Sequence, residues 1–115
     1  MPLTDATLNS LGTHLSGLIT HLAIHTADPG STGTSPSAAA RQPVTFTVDA
    51  DGDLTITGAV NFTGGTANGP ATYVAGWSAI TGGTFRGAWA LTGDQTFNSS
   101  GNYTVSALTI NGTSS

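Results

Sequence analysis

Between residues 42 and 111 apolar side chains recur at every second position in short runs, most of them closed by Gly, Asn or Asp. "VTFTV" puts Val44, Phe46 and Val48 on one face, and "LTITGAVNF" does the same with Leu54, Ile56 and Val60. "NYTVSALTI" offers Tyr103, Val105, Ala107 or Leu108, and Ile110. A period of two is that of a strand with one buried face. Asp51-Gly52 suits a tight hairpin turn, and Thr81-Gly82-Gly83 joins "TYVAGWSAI" to "TFRGAWAL" as a second hairpin. Short strands at near-regular spacing predict an all-β fold, an antiparallel β-sandwich of jelly-roll type. With 115 residues the chain is a single domain long enough to bury a core.

The N-terminal segment has another period. Leu8, Leu11, Leu15, Leu18 and Leu22 are spaced 3, 4, 3 and 4, a helical stripe. Thr4 is placed to cap the helix and Asp5 sits in its first turn, where the helix dipole favours an acid. Gly12, Gly17 and several hydroxyl residues weaken the helix, so it needs a packing partner. The layout expected is a helix within residues 1–20 that ends near 18, a first strand at 21–28, a flexible loop at 30–40, and sandwich strands over 42–111. Asp28-Pro29-Gly30 marks the turn into the loop, whose backbone has no evident partners and is expected to order only on assembly.

Only 7% of residues are charged and the net charge is −4; Lys, Glu and Cys are absent. An average globular domain carries roughly 25% charge. The surface must then consist of hydroxyls, amides and backbone, which protect poorly against self-association and suit a protein packed against neighbours. Two arginines neutralise too few phosphates for nucleic-acid binding, or for an anionic membrane surface. No run approaches the roughly 18 apolar residues of a membrane span, and no basic segment precedes the leucines as in a signal peptide.

Candidate chemistry is sparse. His21 and His25 on one strand would stand about 13 Å apart, too far to share a metal. Asp49, Asp51 and Asp53 alternate as in a calcium loop, but Gly52 is fourth rather than sixth and Val60 holds the twelfth place. An acidic hairpin turn is the expected reading, with a weak surface calcium site left open. Ser78 in "GWSAI" lacks the second Gly of a nucleophile elbow, and no Gly-rich loop carries the Lys of a phosphate cradle. No catalytic residue, cofactor or metal is expected. Trp77 and Trp89, with Phe46, are expected core aromatics; a sugar-binding surface of Trp77, Trp89 and Tyr73 is the alternative. Arg86 is expected to pair with an acid or with carbonyls, within the subunit or across an interface.

The succession "HLAIHTADPG", "AAARQPVTFT", "GWSAITGGTFRGAWALTGDQTF" and "YTVSALTI" resembles a family of short virion proteins of tailed bacteriophages, labelled head decoration, minor tail or tail fibre proteins. The likeness covers nearly the whole chain, and His25, Asp28, Pro29 and Gly30 together with Arg41 are its most specific residues. It implies a structural role in the virion. The reading taken from it is a capsid decoration or minor capsid protein that stabilises the outer surface of the head, made in the host cytoplasm. Its partners would be the phage major capsid protein or further copies of itself, with a trimer as one arrangement. A minor tail or tail-tip protein and a host-glycan-binding module are the alternatives. Leu8, Leu11, Leu15 and Leu18 are candidates for docking to the shell or to a sister subunit; equally, they cover the open side of the sandwich.

Overall fold

The computed structural model describes residues 4–49, 52–91, 93 and 95–110. One helix, α1 (Asp5–Leu18), is followed by nine strands among the described residues. The strands are β1 (His21–His25), β2 (Gln42–Pro43), β3 (Phe46–Val48), β4 (Leu54–Ile56), β5 (Val60–Phe62), β6 (Tyr73–Trp77), β7 (Phe85–Ala90), β8 (Tyr103–Val105) and β9 (Thr109–Ile110). They form a four-stranded sheet of order β2-β1-β6-β7, a three-stranded sheet of order β3-β4-β9, and a two-stranded sheet, β5-β8. All pairings are antiparallel. The fold is all-β and sandwich-like, as expected, with its strands divided among three small sheets.

The two-stranded sheet is too small to be stable alone, and one core is shared by all three sheets. Leu22, Ile24 and Val74 from the first sheet, Leu54, Ile56 and Ile110 from the second, and Val60, Phe62, Tyr103 and Val105 from the third form a single buried cluster. Phe97, from the connection before β8, meets Tyr103 edge-on with ring centroids 6.1 Å apart. The alternating residues read from the sequence are therefore the ones that point inward. Leu108 is half-buried against the cluster while Ala107 is exposed, which settles that choice.

Helix α1 is capped by Thr4, whose hydroxyl accepts from the Thr7 N–H at 3.3 Å. It lies on the β3–β4 hairpin, and Asn9 donates to the Asp49 carbonyl at 2.7 Å. Two glycines make this approach possible. A Cβ on Gly12 would fall 2.6 Å from the Gly52 carbonyl oxygen, and one on Gly52, whose φ is +81°, would fall 2.2 Å from the Leu8 carbonyl oxygen. The leucine stripe is divided by this packing. Leu15 rests on the core, Leu8 and Leu18 are half-buried, and Leu11 remains 54% exposed.

Two sequence expectations change. The first strand stops at His25 rather than 28, because the Thr26 N–H turns to the Ser35 carbonyl at 2.9 Å. The loop over 30–40 also has partners within the chain. Gly33 and Thr34 donate to the Pro29 carbonyl, both at 3.1 Å, and Ser37 donates to the Ile24 carbonyl at 2.9 Å. The loop is closed by bonds that link it back to β1, so its backbone has partners within the chain.

Candidate functional site

The loop covers the outer face of the four-stranded sheet, and this covered face is where the chain's polar chemistry gathers. In an antiparallel ladder paired residues share a face and successive residues alternate. Ile24 pairs with Val74 and Val74 with Trp89, so all three face the core. His25 pairs with Tyr73 and His21 with Trp77 on the opposite face. Trp77 and Trp89 therefore lie on opposite faces of the sheet. The expected placement of Trp77 in the core is corrected: Trp77 is half-buried beneath the loop and outside the core cluster. Trp89 and Phe46 pack on the margin of the core as partly buried residues. The same parity separates Trp89 from Trp77 and Tyr73, so these three rings do not make one aromatic platform.

The segment His25–Gly30 is a clamp. His25 is fully buried, and its Nδ1 lies 2.7 Å from the Thr34 carbonyl oxygen. Asp28 Oδ1 accepts from the Gly30 N–H at 2.9 Å, which fixes the turn, and Gly30 takes φ +65°, a conformation that suits glycine. Pro29 is buried and supplies the carbonyl that receives Gly33 and Thr34. The loop then lies on Trp77: a Cβ on Gly33 would fall 2.6 Å from the indole Cη2.

Arg41 completes the cluster from the far end of the loop. Its guanidinium carbon sits 3.8 Å from the centre of the Trp77 ring, a cation–π contact. Its Nη1 donates to the Ala79 carbonyl at 2.9 Å and the Gly82 carbonyl at 2.7 Å, which ties the loop to the β6–β7 turn. The His25 ring lies parallel to Trp77 within 10°, with centroids 6.2 Å apart, and Phe85 flanks the indole at 5.4 Å. His25, Asp28, Pro29 and Gly30 at one end of the loop and Arg41 at the other thus serve one device that fastens residues 26–41 to the sheet. Arg86, expected to pair, is exposed on β7. His21 is half-buried with its Nδ1 2.9 Å from the Thr20 hydroxyl, and His14 is exposed on α1.

Burial holds the His25 imidazole below its ordinary value of 6.5, and the Arg41 charge acts in the same direction against the hydrogen bond to Thr34. The folded chain therefore keeps His25 neutral while the unfolded chain takes up a proton. Stability is full above pH 6.5 and falls as the pH drops from there towards the folded-state value, by at most about 1.4 kcal/mol per pH unit. His25→Asn keeps a donor for the Thr34 carbonyl and should lack this component. Thermal melts of both proteins between pH 8 and pH 5 check it; equal slopes would show that His25 does not contribute.

Beyond the clamp, the exposed faces are hydroxylic. Thr47, Thr55 and Thr109 align across β3, β4 and β9. Thr45 and Thr57 hydroxyls meet at 2.6 Å, and the Thr104 hydroxyl donates to Asn61 Oδ1 at 2.7 Å across β8 and β5. Among the described residues no group of three or more metal-binding side chains gathers; Asp51, one of the three aspartates of the calcium-loop reading, lies outside them. Among the described residues, too, no helix is long and apolar enough to cross a membrane.

A family match over residues 13–113 makes the chain a structural protein of a bacteriophage virion. It belongs to the family described as podophage GP4 fiber I protein gp80, which matches residues 13–113. That span contains the His25–Gly30 turn, Arg41 and both tryptophan strands, the segments that carry the likeness to tailed-phage virion proteins. No curated protein matches the chain.

Proposed function

We propose that this chain is a non-catalytic structural subunit of a fibre on the phage virion, assembled through surface contacts with further copies of itself or with neighbouring virion proteins. The observation that carries the reading is the family match over residues 13–113, whose description names a fibre. The surface supports it. Exposed threonine and asparagine rows with almost no charge let copies pack without the repulsion that keeps soluble proteins apart. Weak contacts of this kind gain strength from repetition. Leu11, exposed on α1, and the exposed edge of β7 that carries Arg86 are the first positions at which to seek such contacts. The buried His25 is engaged in holding the loop, which supports a structural rather than a chemical role for the His25–Gly30 turn.

The capsid-decoration role read from the sequence differs in place and in copy number. Quantitative mass spectrometry of separated heads and tail–fibre complexes distinguishes the two. A small set of copies travelling with the tail–fibre fraction is the expected result. Hundreds of copies travelling with heads would replace the fibre by the capsid surface, and absence from purified particles would end the structural reading.

A further inference from the structure

A free sheet edge invites pairing with another chain, and native proteins blunt such edges by keeping them short or by placing Pro or charge on them. Most edges here are short. β2 has two residues, one of them Pro43, β9 has two, and β3, β5 and β8 have three each. β7 differs: it is six residues long, forms the outer edge of the largest sheet, and has no buried residue. A bulge occupies its start, where Trp77 pairs with Phe85 and Gly76 with Gly87; beyond it residues 87–90 run regularly without Pro or charge. The ladder fixes which groups face outward. The Leu91 N–H donates to the Thr72 carbonyl at 2.9 Å, so Trp89 and Gly87, two and four residues back, bond to β6. Ala88 and Ala90 therefore turn their N–H and C=O groups away from β6, where no bond meets them among the described residues.

Two further features lie along this edge. Arg86, on the face of Ala88 and Ala90 by parity, is exposed and has no hydrogen bond or ion pair among the described residues. At the other end of the strand, Ala90 and Leu91 line a groove of about 350 Å³ together with residues 103–109, which include the exposed Thr104, Ser106 and Thr109. Hydroxyl and carbonyl oxygens there suit the N–H donors of a guanidinium. We infer that the β7 edge pairs antiparallel with β7 of a second copy, about a two-fold axis at Ala88, which joins two four-stranded sheets into one. Ala88 exchanges two backbone hydrogen bonds with the partner's Ala88, and Ala90 stands opposite the partner's Arg86. That register brings each guanidinium to the other copy's groove, and because the contact is isologous it is made twice. The two arginines stay four residues apart along the ladder, about 13 Å, so like charges do not meet. The small side chains of Ala88 and Ala90 leave the approach open. A pairing this short falls below the area of a stable dimer, so the association is weak and gains from repetition in an assembly. The inference rests on the contact between copies proposed above, and not on the place of the chain in the virion.

The test is sedimentation equilibrium of the full chain, with amide hydrogen exchange followed by NMR on the 15N-labelled protein. A monomer–dimer equilibrium is expected, with a dissociation constant between about 10 µM and about 1 mM. The Ala88 and Ala90 amides should exchange more slowly as the concentration rises. Ala90 is exposed, so substitutions there should leave the melting temperature of the dilute protein unchanged. Ala90→Glu sets an acid opposite the partner's Arg86 in both halves of the contact and should tighten the dimer about fivefold; Ala90→Lys should weaken it by about as much. Arg86→Glu added to Ala90→Lys should restore it. A chain that stays monomeric at about 1 mM overturns the inference. So does a dimer in which the Ala88 and Ala90 amides exchange as fast as in the monomer, or whose strength does not follow the charge at position 90. Fractionation of particles reads the fibre assignment separately, so either result can fail without the other.

Discussion

Phe62→Ala is expected to cost about 3–5 kcal/mol, the usual range for a large buried aromatic. Phe62 is fully buried and is the central β5 contribution to the one cluster that all three sheets share. Small domains have only about 5–15 kcal/mol in total. A change of this size removes much of that reserve, and a two-stranded sheet has no second core to fall back on. Urea unfolding should show the midpoint fall sharply with an unchanged slope. Loss of less than about 1 kcal/mol would mean that the sheets are held separately, against the shared core.

The second large effect has a sign opposite to that of helix propensity. Alanine is favoured over glycine within a helix by about 1 kcal/mol, so Gly12→Ala and Gly17→Ala should behave alike if α1 were merely a helix. They stand in different places. A Cβ on Gly17 meets nothing within 4 Å, whereas one on Gly12 meets the Gly52 carbonyl oxygen at 2.6 Å and a Val48 methyl at 2.9 Å. Gly17→Ala should stabilise by up to about 1 kcal/mol, and Gly12→Ala should destabilise by about 1–3 kcal/mol as α1 is pushed off the β3–β4 hairpin. Thermal melts of the two variants decide it. Two stabilised variants would show that α1 does not rest on the hairpin in solution.

The strands were legible because their inward residues alternate with threonine. Leu54, Ile56, Val60, Val105 and Ile110 are buried as their spacing predicts. Thr4 and the leucine stripe likewise announce α1. Trp77 was not legible, because β6 is buried on both faces and so has no polar alternation to reveal which side meets the core. Its neighbours Val74, Ala75 and Gly76 are all buried. Once β6 is paired with β1, parity alone sends Trp77 to the outer face. The backbone partners of the loop are hidden for a similar reason. "GSTGTSPSAAA" is polar and small, as flexible linkers are, yet its small residues let it lie flat on an indole ring. The one sign of this in the sequence is Gly33, which only the fold brings to Trp77. The histidine spacing draws attention to His25 and the resemblance to Arg41, but Arg41's bonds to the Ala79 and Gly82 carbonyls span 38 and 41 residues, which no local pattern carries.

The fibre assignment is tested most directly on intact particles. Antibodies raised against the folded chain, detected with gold in electron micrographs of purified virions, should label the fibres and leave the head surface bare. Gold over the whole head surface, or particles that carry none, would contradict the account.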